Sequence, residues 1–129
     1  MSVKDKTRNM ADHNILGKKG ETLALKMLSE KGYKILETNW RHKRDEIDII
    51  ALDGNEIVIV EVKTRSTDFF GDPEDSVDDL KMERLVRAAD EYLEQNSLEN
   101  ECRYDIVSII INNKISIRHI EDAFFPSQM

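Results

Sequence analysis

One cysteine in 129 residues, Cys102, is too few for an intramolecular bridge. With no CxxC pair and no closely spaced Cys and His ligands, a structural zinc site has no basis in the sequence either. That scarcity fits a reduced, cytoplasmic setting, which is where we expect the protein. No apolar run approaches the roughly twenty residues that a membrane-spanning helix needs, and the polar N-terminus lacks the apolar centre of a secretory signal. Membrane partners are therefore not expected. Basic residues are in the minority: 19 Lys and Arg against 26 Asp and Glu leave a formal net charge of -7. This balance argues against a generic polyanion binder, which ordinarily shows a basic electrostatic footprint. Internal repeats and low-complexity tracts are also missing.

What is present suits one domain, because a chain of this length can bury a sizeable core without disulfides or metal. We expect residues 1–12, polar and without periodicity, to form a disordered or loosely ordered tail, and residues 13–129 to form the domain. Charge is unevenly spread. Acids gather in DPEDSVDD (72–79) and SLENE (97–101), whereas RHKR (41–44) is a basic block ahead of an apolar strand. A basic rim around an acidic pocket is compatible with that pattern.

From about Ile15 to Glu30, the positions Leu16, Leu23, Ala24, Met27 and Leu28 follow helical spacing, and Gly32 supplies a stop. Three strands are predicted next, Tyr33 to Thr38, Glu46 to Leu52 and Glu56 to Lys63, the last two joined by a turn at Asp53, Gly54 and Asn55. A second amphipathic helix carries Met82, Leu85, Val86, Ala89, Tyr92 and Leu93, with Ser76 or Asp78 as its cap. Tyr104 to Ile111 and Lys114 to Ile120 then form a hairpin about Asn112 and Asn113. The order αβββαββ makes the third and fourth strands parallel across a helical crossover, so the central sheet is mixed. Two apolar sheet faces and two helices predict a three-layer α/β/α domain.

Within EIVIVEVKTR (56–65), Glu61 and Lys63 interrupt a strand otherwise made for burial. Side chains alternate across a strand, so these charges share one face while Val58, Val60 and Val62 share the other. Asp48 in the preceding strand lies opposite Glu61 if the loop is Gly54–Asn55 or the four residues 53–56. It becomes a diagonal neighbour for a loop of Asp53 and Gly54, and a three-residue loop would separate the two. A regular short turn is expected to bring them together. Two close carboxylates disfavour each other's ionised forms, and a divalent cation relieves that penalty through the oxygen ligands it prefers, with magnesium the natural choice and manganese the substitute. Lys63 beside the pair suits orientation of a water or charge relief at a phosphate. Glu21, on the border of the apolar face of the first helix, is placed to be a third carboxylate. The alternatives are ordinary ion pairs, with Glu61 paired to Lys63, Asp48 held by Arg44 or Lys63, and Glu21 with Lys18 or Lys26 on a solvated helix.

Asp48 followed after twelve residues by Glu61-Val62-Lys63 resembles the PD-(D/E)XK nuclease signature. Over most of the chain, GKKGETLALKMLSEKGYKILETNWR, DEIDIIALDG, IVIVEVKTR, FGDPEDSVDDLKMERLVRAADEYL and RYDIV resemble the YraN family of small bacterial proteins. The resemblance implies a restriction-endonuclease-like fold similar to that of archaeal Holliday-junction resolvases. It implies Asp48, Glu61 and the Val62 carbonyl as metal ligands, Lys63 as the group assisting the attacking water, and Glu21 as completing the acidic site. Lys81 matches a position where the superfamily often adds a polar contact, the alternatives being a helix-start stabiliser or a solvated charge. A homodimer acting on two DNA strands is a further implication. The chain departs from the family in carrying Asp45 where Gly usually precedes Glu-Ile-Asp. That extra negative charge, near the expected phosphate path, is expected to weaken binding.

Arg41, Lys43, Arg44 and Arg65 stand near the ends of the strands with the candidate site and are candidates for phosphate contacts, with Lys81 beside them. Trp40 suits base stacking or a core position. Arg84 and Arg87 are diluted by Glu83, Asp90 and Glu91 and read as solvated, and Phe69 and Phe70 read as a wedge or a loop anchor. Asp105 is expected to make a structural hydrogen bond. Neither His42 nor His119 is assigned a catalytic role. The expected function is a magnesium-dependent DNA endonuclease acting on branched or otherwise processed DNA. The competing readings are a non-catalytic accessory that retains the fold and a protein-interaction domain using the acidic helix start.

Overall fold

The computed structural model describes residues 3–67 and 77–126. Its elements are α1 (Val3–Glu30), β1 (Lys34–His42), β2 (Asp45–Asp53), β3 (Glu56–Arg65), α2 (Asp79–Gln95), β4 (Cys102–Ile111) and β5 (Ile115–Phe124). The order αβββαββ is the one expected. Several bounds differ from expectation, among them the end of β5, at Phe124 rather than Ile120. Helical backbone begins at Val3 rather than near Ile15, so it includes most of the segment expected to be a loose tail. β1 runs on to His42, which places Trp40 and Arg41 in the sheet instead of a loop. Phe69, Phe70 and Ser76 lie outside the described residues.

α1 stops where the sequence signals it. Gly32 takes φ 92°, a conformation open to glycine, and lets Tyr33 donate its backbone N–H to the Leu28 carbonyl at 3.0 Å. At the start of α2 the Asp78 side chain accepts the Lys81 backbone N–H at 2.9 Å, capping the helix.

The five strands lie in the order β1-β2-β3-β4-β5. β3 and β4 are parallel, and the other neighbouring pairs are antiparallel. Ala24 and Leu28 of α1 join Ile49, Ala51, Val58, Val60, Val107 and Ile109 in the core on one face. Leu85, Ala88, Ala89 and Tyr92 of α2 join Ile47, Ile50, Ile57, Ile59 and Ile106 on the other. The result is the three-layer α/β/α, restriction-endonuclease-like arrangement with a mixed sheet. α1 lies close against the sheet at Gly20, which is buried, and a Cβ there would land inside the Thr64 side chain. Glycine at this position sets the spacing between α1 and the end of β3.

The opposite end of the sheet is tied by Arg103, which is 7% exposed. Its guanidinium donates to both Asp105 oxygens at 2.9 Å, to Asp53 at 2.8 Å and to the Tyr33 hydroxyl at 2.6 Å. His119 lies 2.7 Å from Asp105, and the Asp122 amide donates to Asp105 at 3.1 Å. Burial would push the Asp105 carboxyl up, but His119 and Arg103 hold it below the ordinary carboxylate value. Asp105 is structural, as expected, and His119 belongs to the same buried network.

Among the described residues no helix is long and apolar enough to cross a membrane.

Candidate functional site

The turn between β2 and β3 has the two-residue form. Asp53 pairs with Glu56 across Gly54 and Asn55, and Gly54 takes φ 62°. The same register runs back to Ile49 opposite Val60, so its next step sets Asp48 against Glu61. Here the ladder gives way to a different contact. The Val62 backbone N–H donates to the Asp48 carboxylate at 2.8 Å.

A local distortion makes this possible. Ile47 belongs to the core on the α2 side and Ile49 to the core on the α1 side, although residues two apart on a regular strand share a face. The alternation therefore changes phase at Asp48. Across from it, between the pairs Thr38↔Ile49 and Trp40↔Ile47, Asn39 of β1 takes φ 51°. Asn tolerates the left-handed region better than most residues, so the twist is concentrated where it is least costly. Trp40 then packs edge-on against Tyr92 of α2, with ring centroids 5.2 Å apart. Trp40 is accordingly a core contact, and the base-stacking alternative is set aside.

Asp48 lines openings on both sides of the sheet. On the α2 side an opening of about 250 Å³ is walled by Arg44, Asp45, Glu46, Asp48, Glu61, Lys81 and Arg84, together with Leu85. On the α1 side a wider opening of about 600 Å³ includes Lys18, Glu21, Asn39, Arg41, Glu46, Asp48, Val62 and Lys63. The four charges singled out in the sequence are thus brought to one end of the sheet, but as two groups joined by Asp48. Glu61 is with Asp48 in the first group, and Glu21 and Lys63 are with Asp48 in the second. Glu21 is held there by Asn39, whose side-chain amide donates to it at 2.6 Å.

The electrostatics follow from burial. Loss of hydration pushes the Asp48 carboxyl up to about 7, and the neighbouring Glu61 charge adds to that rise against the Val62 hydrogen bond and Lys81. Glu61, 7% exposed, has a cation of its own in Lys81, whose Nζ lies 2.5 Å from Glu61 Oε1. Burial is the largest single influence and works against the Lys81 charge, but the Glu61 hydrogen bond and the charges of Glu61, Asp48 and Asp78 together outweigh it and hold the ammonium above its ordinary pKa.

The remaining cations are distributed as follows. Arg41 pairs with Glu46 at 3.0 Å. Lys43 and Arg44 are exposed in the turn between β1 and β2, with Lys43 at φ 56°. Arg65 is half-buried at the end of β3. Arg87 is solvated, its side chain 62% exposed, but it also has a partner: its guanidinium donates to both oxygens of buried Asp45 at 2.8 and 2.9 Å. The Asp45 carboxyl is held below its ordinary value by that Arg87 hydrogen bond. The expectation that Asp45 adds free negative charge to a phosphate path is thereby corrected, since Arg87 neutralises it.

Asn39, Arg84 and Arg87 were not recognisable as site residues from sequence spacing. The residue type itself, an Asn in ETNWR that tolerates left-handed backbone, was the one usable signal for Asn39. Nothing local distinguishes Arg84 and Arg87 from the solvated residues of α2.

A model of the family described as "Uncharacterised protein family UPF0102" matches residues 20–109. A UPF0102 protein of Flavobacterium psychrophilum is 51% identical over 117 residues, which cover 90% of this chain and 98% of that protein. Another, from Christiangramia forsetii, is 50% identical with the same coverage. A third, from Bacteroides thetaiotaomicron, is 48% identical over 118 residues, covering 91% and 98%.

Proposed function

Because the chain belongs to the UPF0102 family, the YraN family that the sequence resembles, and that name carries no reaction, we propose from the site itself that the protein is a metal-dependent DNA endonuclease. The observation that carries this reading is the parting of β2 and β3 at Asp48, where the carboxylate takes the Val62 amide with Glu61 alongside. Branched or otherwise processed DNA is the substrate class favoured by the resolvase resemblance.

The donor set fits magnesium, with manganese as a substitute. Asp48, Glu61 and the Val62 carbonyl are hard oxygen donors, and the Asp48 pKa, raised first by burial and then by the Glu61 charge, marks a carboxylate that a cation would relieve. Among the described residues no three His, Cys, Asp or Glu side chains are grouped around one metal position. The protein would therefore supply two carboxylates and a carbonyl, leaving other positions to water and phosphate, as magnesium usually does. When bound, the metal would supply Lewis acidity and a more acidic water. In this reading Lys63 orients the attacking water and offsets charge on the phosphate as a P–O ester bond gives way. Glu21, fixed by Asn39, closes the α1 side. Arg41, Lys43, Arg44 and Arg65 contact flanking phosphates, and the acidic net charge makes that binding local.

One observation favours the non-catalytic accessory reading: Glu61 already has a partner in Lys81. The test is to offer duplex, single-stranded and four-way-junction DNA to purified protein with magnesium or manganese, beside Asp48→Asn. Cleavage by the unaltered protein alone supports the endonuclease. Equal cleavage by both would point to a contaminant and remove the assignment. No cleavage, together with Asp48-dependent stabilisation by calcium, would move the reading to the accessory.

A further inference from the structure

Four carboxylates wall the α2-side opening: Asp45, Glu46, Asp48 and Glu61. Three have dedicated cations, in the pairs Asp45–Arg87, Glu46–Arg41 and Glu61–Lys81. These pairs are not alike. Arg87 grips Asp45 with two parallel hydrogen bonds, a geometry that resists displacement. Lys81 makes a single contact with Glu61 through a point charge on a flexible stem, and its side chain is 46% exposed. It stands in the first turn of α2, and Arg84, one helical turn further on, lines the same opening.

Resting on the endonuclease reading, we propose that Lys81 is an exchangeable counter-ion, which neutralises Glu61 while the carboxylates hold no metal and transfers to a substrate phosphate once a divalent cation takes Glu61. The exchange follows from charge. An ammonium and a divalent cation on one carboxylate repel each other, and of the three pairs only Lys81–Glu61 has both a single contact and a partner among the proposed metal ligands. A half-exposed side chain can move into the opening without disturbing the helix. Once released, its charge lies beside Arg84 and Arg44, forming a basic patch in the presence of metal that is partly neutralised without it. Lys81 would thus couple metal loading to phosphate binding.

Manganese alone is the first probe, titrated calorimetrically into the unaltered protein, Lys81→Gln, Lys81→Arg and Asp48→Asn. Lys81→Gln keeps a hydrogen-bond donor for Glu61 and removes the charge. It is expected to bind manganese about tenfold more tightly than the unaltered protein, a difference of about 1.4 kcal/mol, while Lys81→Arg gains nothing. Without metal, Lys81→Gln should melt at lower temperature, and saturating manganese should close that gap. In the second measurement, calcium-loaded protein binds duplex or four-way-junction DNA across a salt series. Loss of the Lys81 charge should make the slope of log affinity against log salt shallower by about one. Unchanged or weaker manganese binding by Lys81→Gln would overturn the exchange, as would an unchanged salt slope. Should the unaltered protein bind no manganese, or Asp48→Asn bind it equally well, the endonuclease reading would fall together with the exchange.

Discussion

The Val62 backbone amide donates to the Asp48 side chain at 2.8 Å. An amide of β3 is thereby satisfied by a carboxylate of β2 just beyond Ile49↔Val60, the end of their regular pairing. That amide is not left orphaned, so the strands can part here at little cost. The gap that results gives Asp48 access to both sides of the sheet.

Asp48→Asn should stabilise the metal-free protein in a pH-dependent way. The folded-state pKa of Asp48 is raised to about 7 from an ordinary 3.8, first by burial and then by Glu61. The folded state therefore holds this proton more tightly than the unfolded chain. The resulting penalty is absent below the ordinary value, grows as pH rises toward about 7 and is constant above it. Asn retains an acceptor for the Val62 amide and carries no charge. In chelator-treated samples its melting temperature should exceed that of the unaltered protein by several degrees at pH 8. The difference should shrink steadily toward pH 4, and a pH-independent difference would exclude the ionisation as its cause.

On the proposed endonuclease reading, Lys63→Ala should reduce DNA cleavage by about a hundredfold or more, the usual cost of removing a charge that stabilises a transition state. Lys63 is exposed, so thermal stability should hardly change. Single-turnover kinetics at saturating protein separates this effect from weaker binding, and a cleavage step of unaltered rate would remove Lys63 from the chemistry.

Arg87→Gln leaves Asp45 buried without its two-pronged partner and should lower the melting temperature by a few degrees near neutrality. Arg87 holds the Asp45 pKa below its ordinary 3.8. The stabilisation from this pair is therefore full above that value and is lost as pH falls through the depressed one. Melting curves at pH 7 and pH 3 should show the deficit of Arg87→Gln narrowing in acid.

Gly20→Ala places a methyl group inside the Thr64 side chain and should cost about 1–3 kcal/mol, as overpacking usually does. Since Glu21 follows directly, α1 must move away from the sheet and carry Glu21 with it. Pairing the change with Thr64→Ala, which removes the Oγ1 nearest the added methyl group as well as the Thr64 methyl, should restore part of the stability in denaturant titrations.

Arg103→Met should cost about 3 kcal/mol or more, because it leaves the fully buried Asp105 carboxylate without its guanidinium. Urea unfolding measures the loss. An effect confined to DNA cleavage with stability intact would contradict the structural role.

Much of this arrangement was legible in the chain. Apolar periodicities of 3.6 and 2 distinguish helix from strand in α1, β2, β3 and α2, because each element must bury one face. The short turn at Gly54 brings Asp48 level with Glu61, since register is a matter of counting once the loop length is known. Less legible were the bounds of β1, because Asn39, Trp40 and Arg41 interrupt its alternation. α1 gives no apolar signal ahead of Ile15, and the partners of Lys81 and Arg87 depend on how α2 lies across the sheet.

By itself the sequence determined the element order, the mixed three-layer sheet and the approach of Asp48 to Glu61, all of which rest on local spacing and on the burial of apolar faces. Tertiary structure alone decided that Asp48 faces both openings, that Asn39 holds Glu21, that Arg87 neutralises Asp45 and that Lys81 neutralises Glu61. The reason is physical. Local periodicity shows which face a side chain occupies, whereas a charge takes its partner from whatever packing brings within a few ångströms, and for Asp45 and Arg87 that partner is distant in the chain.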